Sequence, residues 1–186
     1  MTDKIILDLC GGTGAWSRPY VEAGYDVRVV TLPEQDVRLW SGYRDLRVHG
    51  ILAAPPCTYF CTMRNCRGLP TPEQYLEGLS VVDACLRIVW ACQPSWWALE
   101  NPSGSLHKWL GLPMLKFQPN EFGDPWTKQT WIWGQFAMPL LSPSMMEIEP
   151  THQFVSSGRT RGGAHNARDR SVTPPGFARA FFESNP

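Results

Sequence analysis

The chain has 186 residues, 43% of them apolar, and its 17 lysines and arginines balance 17 aspartates and glutamates. This size and apolar content predict one domain, over residues 1–186, with one substantial core. The balanced charge excludes the overall positive field typical of many nucleic-acid-binding proteins, so any basic surface must be local. No apolar signal region precedes the first strand, and no apolar run approaches the roughly 20 residues of a membrane span. Since the chain also has six cysteines and no need of disulfides, we expect a cytoplasmic protein with reduced thiols and no membrane contact.

Short apolar segments alternate with helical patterns along the first hundred residues. The predicted strands cover residues 4–10, 26–32, 48–55 and 95–100, with a short further candidate at 35–39. A helix over 71–92 begins with Thr71 as N-cap and Pro72 at its first position, and a shorter helix follows the first strand. Strands alternating with helices predict an α/β fold with a mostly parallel open sheet flanked by helices. Such sheets bind their ligands at the carboxyl ends of the strands.

The remaining residues show less regular patterns. Residues 130–136 predict a sixth strand, and residues 137–169 have the composition of a loop. The segment TPPGFARAFFES then predicts a short helix, because Phe177, Ala180 and Phe181 are spaced to share one face.

A glycine turn, LDLCGGTGAWS, directly follows the first predicted strand. Gly11, Gly12 and Gly14 would let a ligand approach the backbone, but Ser17 stands where the dinucleotide-binding fingerprint has its last glycine. An ordinary tight turn is the alternative. Asp8 favours a binding site, because a carboxylate within an apolar strand needs hydrogen bonds from the turn or from a ligand.

A cysteine at the end of the 48–55 strand is the first candidate for catalysis. Cys57 follows two prolines, whose rings stiffen the turn that carries it. The alternatives are a small buried apolar residue, or a metal ligand together with Cys61, Cys66 and His49. The C-x3-C-x4-C spacing fits neither zinc sites nor iron–sulfur sites, so no metal is expected.

Glu100 ends the predicted strand 95–100 and would lie at the same sheet edge as Cys57. A thiolate and a carboxyl group facing one cavity suit addition to an electron-poor ring, where the sulfur attacks carbon and the acid protonates a ring nitrogen. Pyrimidines are such rings. A solvated turn carboxylate or a helix cap is the alternative for Glu100.

Five segments, in chain order, resemble motifs of the DNA (cytosine-5) methyltransferases, especially short phage-type members that lack a full target-recognition domain. They are LDLCGGTGAWS, AAPPC, ALENPSG, GDPWTKQTWIWG and RSVTPPGFARAF. The resemblance covers almost the whole chain. It implies a Rossmann-like fold that uses S-adenosyl-L-methionine, with DNA as the partner in the cytoplasm of a phage's host.

The resemblance also implies roles for individual residues. Cys57 would add to carbon 6 of cytosine, Glu100 would hold the ring nitrogen and exocyclic amine, and a target base in a duplex would be flipped out. Lys128 replaces the family's arginines near the base, as a cation without their planar fork. The implied cofactor-binding residues are Asp8, Cys10, Gly12, Gly14, Trp16, Leu32, Glu34, Asp36 and Pro55.

Three of the cofactor positions depart from the family. Cys10 takes the place of the usual phenylalanine and would change the packing against the adenine. The family's ribose-binding acid is replaced by the segment TLPEQD, in which Glu34 would substitute for that acid and Asp36 would meet the adenine amine.

The target-recognition region is reduced to residues 135–169, which are too few for a separate domain. The arginines Arg159, Arg161, Arg168 and Arg170 predict contacts with the DNA backbone that do not depend on sequence. A plain solvated loop is the alternative, and a homodimer would be another source of a recognition surface.

The hypothesis we favour is that the protein is a DNA (cytosine-5-)-methyltransferase with low or short-sequence specificity. Two other hypotheses stay open. The same chemistry on a free pyrimidine nucleotide would also explain the missing recognition domain. A non-catalytic methyltransferase-like DNA-binding module would explain the replaced acid and arginines, although it has no need of Cys57 and Glu100.

Overall fold

The computed structural model describes residues 3–61, 68–140, 152–154, 160–161 and 171–186, with the backbone alone for the two short segments. The strands are β1 Ile5–Leu9, β2 Asp26–Val30, β3 Val48–Ala53, β4 Trp96–Pro102, β5 Leu115–Phe117, β6 Trp126–Thr127, β7 Thr130–Gln135, β8 His152–Phe154 and β9 Thr160–Arg161. The helices are α1 Arg18–Glu22, α2 Pro72–Cys92, α3 His107–Leu110 and α4 Pro175–Ser184, with a 3-10 turn at Pro119–Phe122.

The main sheet has six strands in the order β2-β1-β3-β4-β7-β5. The four strands from β2 to β4 are parallel, whereas β7 and β5 pair antiparallel. The predicted α/β fold with a mostly parallel sheet is therefore confirmed. The carboxyl ends of β1, β3 and β4 meet at one edge, which is the edge that carries the glycine turn and Cys57.

The central strands bury alternate residues in two apolar cores, one on each face of the sheet. On one face Leu7 and Ile51 pack with residues of α2. On the other face Ile6 and Leu52 pack with residues of α1 and α4. Because both faces are covered, these strands are nearly continuous apolar runs in the sequence.

The first long helix begins where the sequence predicts, and the last helix buries the face that the sequence predicts. Thr71 forms a capping box with Gln74, in which the hydroxyl of Thr71 accepts the amide of Gln74 and the side chain of Gln74 accepts the amide of Thr71. In α4, Phe177, Ala180 and Phe181 are all buried in the second core.

The prediction of a short strand at 35–39 is wrong. The backbone turns there, because the Asp36 carboxylate accepts the amide of Arg38 at 2.9 Å and the Asp36 carbonyl accepts the amide of Leu39 at 3.0 Å. A short acidic side chain that binds its own following amides favours a turn over a strand.

The segment 137–169 is not entirely loop. The strands β8 and β9 lie within it and form a second, three-stranded sheet with β6. Strands of two or three residues are too short to produce a period in the sequence. Within the described ranges, no helix combines the length and apolar content that crossing a bilayer requires.

Candidate active site

The glycine turn after β1 is built over a buried carboxylate. Asp8 is fully buried, and its Oδ2 accepts a hydrogen bond of 2.5 Å from the hydroxyl of Ser17. Within the described residues its Oδ1 has no hydrogen-bond partner. A Cβ at Gly11 would lie 2.3 Å from this carboxyl group, so the turn can pass over Asp8 only with glycine at that position.

The turn itself exposes backbone. Gly12 and Gly14 have φ of 54° and 66°, in the left-handed region, and the amide of Gly12 is 3.3 Å from the hydroxyl of Thr31. The Trp16 ring is 2% exposed and packs against Phe177 and Phe181 in the second core. Trp16 therefore anchors the glycine turn to the second core.

Cys10 points away from the turn toward α2. Its thiol is hydrogen-bonded to that of Cys85, and this bond, more than burial, raises the pKa of Cys85. Cys10 is thus partly buried and packs against the first core.

The loop after β2 carries three further residues predicted to bind the cofactor, Leu32, Glu34 and Asp36, and their surroundings differ. Leu32 and Glu34 are exposed. Asp36 instead is held by Arg38, whose Nη2 and Nε donate to its carboxylate at 2.6 and 3.0 Å, and Arg38 also reaches Glu77 at 2.8 Å. These bonds with Arg38 hold the pKa of Asp36 below its usual value. An adenine amine would have to compete with this arginine for Asp36.

The turn that carries Cys57 is tied to the strand that carries Glu100. The buried Asn101 side chain donates a 2.9 Å hydrogen bond to the carbonyl of Pro55, two residues before Cys57. The amides of Phe60 and Cys61 both donate to the carbonyl of Cys57, at 2.9 and 3.0 Å. Cys57 therefore begins a single helical turn with Cys61 at its other end.

Cys57, Glu100 and Lys128 share one electrostatic environment. The Lys128 ammonium lies 3.7 Å from Oε1 of Glu100, and the two side chains are only 16% and 15% exposed. The pKa of the Cys57 thiol is raised, first by its hydrogen bond with the Cys61 thiol, then by burial and by the negative charge of Glu100; the positive charge of Lys128 opposes this shift. The structure thus brings the three predicted catalytic side chains together.

Gly104 allows the Cys57 turn and the turn after β4 to touch. The amide of Ser105 donates to the carbonyl of Phe60 at 2.7 Å, and Cys61 forms an isolated β-bridge with Gly104. A Cβ at Gly104 would lie 1.9 Å from that carbonyl oxygen, so the backbones would have to separate.

Gly104→Ala is therefore expected to lower the free energy of unfolding by about 1–3 kcal/mol, the usual cost of overpacking. Urea unfolding measures this change. A midpoint equal to that of the wild type would show that the two turns are not held together by this contact.

Other predicted groups are not part of this cluster. His49 lies near the amino end of β3, where its Nε2 is 2.8 Å from the carbonyl of Pro186, and this places it at the opposite edge from Cys57. Cys66 lies outside the described residues, as do Arg159, Arg168 and Arg170, and Arg161 is described by its backbone alone. In the part of the chain that the structure describes, no group of three His, Cys, Asp or Glu side chains is arranged to hold a metal.

Sequence reasoning missed the residues that position the site. Ser17, Arg38, Cys61 and Asn101 each bind a predicted residue or its turn, through the hydrogen bonds given above. Asn101 directly follows Glu100, and Cys61 is four residues after Cys57, so the sequence shows that both lie next to predicted site residues. The sequence does not show their hydrogen-bond partners, because those depend on contacts between the ends of different strands.

The architecture agrees with that of one solved structure, whereas comparisons of the sequence find no match. No family profile matches the sequence, and no curated protein does. A protein assigned as a DNA modification methyltransferase, encoded within an Escherichia coli prophage, has a similar structure, with a TM-score of 0.52 and 18% identity over 72% of this chain. This chain has the fold of that methyltransferase.

A second solved structure, an Entamoeba histolytica methyltransferase, aligns with a TM-score of 0.39 and 9% identity over 82% of this chain. The chain spans 47% of the length of the E. coli structure and 59% of the Entamoeba structure. Open α/β sheets bind their ligands at the carboxyl ends of the strands, and in this chain that edge carries the glycine turn and Cys57.

The buried Asp8 makes the stability of this fold depend on pH. Burial raises the pKa of Asp8 to about 6 from 3.8, against the opposing hydrogen bond from Ser17. Because the folded state favours the neutral acid, its contribution is fully present below about pH 4 and is lost as the pH rises through about 6. The shift corresponds to about 3 kcal/mol.

Asp8→Asn keeps an acceptor for Ser17 but cannot ionise. Relative to the wild type, the variant should gain about 3 kcal/mol in the free energy of unfolding between about pH 4 and pH 7. Urea unfolding across this range, without ligand, measures the difference. A difference that does not change with pH would contradict the burial of an ionisable group at Asp8.

Proposed function

We propose that the protein transfers a methyl group from S-adenosyl-L-methionine to carbon 5 of cytosine in DNA, through a covalent adduct with Cys57. The observation that carries the proposal is the placement of Cys57, Glu100 and Lys128 in one environment at the carboxyl edge of the parallel strands. A thiol and a carboxyl group so placed suit the addition of sulfur to a pyrimidine ring with protonation of a ring nitrogen.

The glycine turn fits S-adenosylmethionine. A Cβ added at Gly12 would meet nothing within 4 Å, so the turn faces open space, and the unpartnered Oδ1 of Asp8 lies beneath it. Gly12, Gly14, Leu32 and Glu34 would hold the cofactor, and Asp8, Trp16 and Cys10 would support the turn. When bound, the cofactor supplies an electrophilic methyl group.

The residues of the chain would perform the ring chemistry. The Glu100 carboxylate takes the proton of the Cys57 thiol, the sulfur bonds to carbon 6 of the cytosine, and Glu100 passes that proton to the ring nitrogen, so that carbon 5 gains electron density for methylation. The proton on carbon 5 then leaves to solvent. The bond between sulfur and carbon 6 breaks, and the ring-nitrogen proton returns through Glu100 to the Cys57 sulfur.

Lys128 has two tasks in this scheme. Its charge lies 3.7 Å from Glu100 and orients that carboxyl group, and it is the group that favours the thiolate of Cys57. The hydrogen bond with Cys61 raises the pKa of the Cys57 thiol and so opposes its ionisation.

DNA is the proposed substrate, with low or short-sequence specificity, because residues 135–169 are too few for a recognition domain but carry arginines suited to phosphates. The E. coli prophage protein with the same fold is also assigned to DNA modification. A homodimer would enlarge the recognition surface. The short recognition region equally fits a second candidate, the same reaction on a free pyrimidine nucleotide.

An assay with isotopically labelled methyl donor separates these substrates. The protein is incubated with DNA or with dCMP, and nucleosides from each are analysed by mass spectrometry. We expect labelled 5-methylcytosine in the DNA. Label in dCMP alone would establish the free-nucleotide reaction. No label in either, together with no thermal stabilisation by S-adenosylhomocysteine, would favour the non-catalytic module.

A further inference from the structure

A second groove begins where the Cys57 turn ends. It has a volume of about 430 Å³, which lies within the range of about 300–1,000 Å³ typical of small-molecule pockets. Its walls include Tyr59 and Cys61 from the Cys57 turn, Tyr75 from α2, and His107 and Lys108 from α3.

Each element that carries a proposed catalytic residue also lines this groove. Tyr59 follows Cys57 by two residues, Ser103 follows Glu100 by three, and Gln129 follows Lys128 directly. The amide of Ser103 donates to the carbonyl of Gln129 at 3.0 Å, which joins the last two elements. The groove therefore adjoins the proposed catalytic site.

The groove has an aromatic wall. Tyr59, Tyr75 and Trp131 line the groove and are partly exposed. The ring of Tyr75 lies 6.3 Å from the buried ring of Phe60 and 5.0 Å from the exposed ring of Trp109, which does not itself line the groove. Aromatic rings that solvent reaches are surfaces on which unpaired bases stack.

The charge of the groove is suited to phosphate. Lys108 is exposed, and His107 donates from Nδ1 to the carbonyl of Gly104 at 2.7 Å, which fixes its ring at the wall. None of the described residues that line the groove is acidic. A single anionic group next to an aromatic face would thus be favoured.

We propose that this groove binds the nucleotide adjacent to the target cytosine, with its base on the Tyr75 wall and a phosphate near Lys108. The inference rests on the proposed function and makes it more specific: the substrate is a DNA strand that is unpaired at and beside the target. A free nucleotide would leave the groove without a ligand.

Binding of a fluorescent single-stranded oligonucleotide, one cytosine among thymines, tests the inference without requiring turnover. Tyr75→Leu should weaken binding about 5- to 100-fold, the range for loss of one stacked base. Lys108→Ala should weaken binding and lower the slope of log affinity against log salt by about 1. Lys4→Ala, at the opposite edge beside β1, is the matched control and should bind as the wild type does.

Circular dichroism melting of each variant shows whether it is folded, and Lys108→Ala, at an exposed site, carries the test if Tyr75→Leu unfolds. Wild-type affinity in both groove variants would overturn the inference and leave the proposed function intact. If the wild-type protein binds no oligonucleotide but methylates dCMP, DNA as substrate fails, and the inference fails with it.

Discussion

Cys57→Ser is expected to abolish methylation, with a fall in kcat of about four orders of magnitude or more, as for loss of a nucleophile elsewhere. A serine hydroxyl ionises far less readily than a thiol, so it cannot add to the ring carbon at neutral pH. Cofactor binding should be unchanged, because the glycine turn is formed by a different strand. Rates with labelled methyl donor, and calorimetry with S-adenosylhomocysteine, measure the two properties.

Cys92→Ser is the matched control. This half-buried cysteine near the end of α2 receives the same exchange of sulfur for oxygen and should retain wild-type kcat. A Cys57→Ser protein that turns over at a rate near that of the wild type would remove Cys57 as the nucleophile.

Glu100→Gln should lower kcat by about 10²- to 10⁴-fold, the usual contribution of a positioned acid. The amide keeps the shape of the side chain and still hydrogen-bonds the ring, so KM for DNA should change little. The proton for the ring nitrogen is lost. Steady-state kinetics with varied DNA separates the two parameters.

Glu183→Gln provides the comparison for this charge removal. Glu183 is paired with Arg179 at 3.3 Å on the surface of α4, so it also loses an ion pair, but α4 carries none of the proposed catalytic residues. We expect its kcat to equal that of the wild type. A large rise in KM with unchanged kcat in Glu100→Gln would make Glu100 a binding group and not an acid.

The sheet could be predicted from sequence because its central strands are buried on both faces. Ile5–Leu9 and Val48–Ala53 are apolar runs followed by glycine or proline, which leaves little choice of structure. The positions of Cys57 and Glu100 at one edge followed from this, since parallel neighbours end together. The fold and the positions of Cys57 and Glu100 could therefore be predicted from the sequence.

The contacts that tune these residues could not be predicted in the same way. The sequence predicts that Asp36 meets the adenine amine, and in the structure Arg38 binds its carboxylate at 2.6 Å. The sequence predicts a cofactor contact for Trp16, and in the structure its side chain is buried against α4, more than a hundred residues later. The contacts of Asp36 and Trp16 depend on which neighbouring side chains bind or pack against them. A pattern of residue types along the sequence does not show this.

The covalent adduct is the central claim, and trapping it is the most direct test. The protein is incubated with S-adenosylmethionine and single-stranded DNA whose cytosines carry fluorine at carbon 5, which cannot leave as a proton does. We predict a protein–DNA adduct that survives denaturant, maps to Cys57 by mass spectrometry and is absent in Cys57→Ser. Methylation of ordinary cytosine without any such adduct, or an adduct at another residue, would contradict the account.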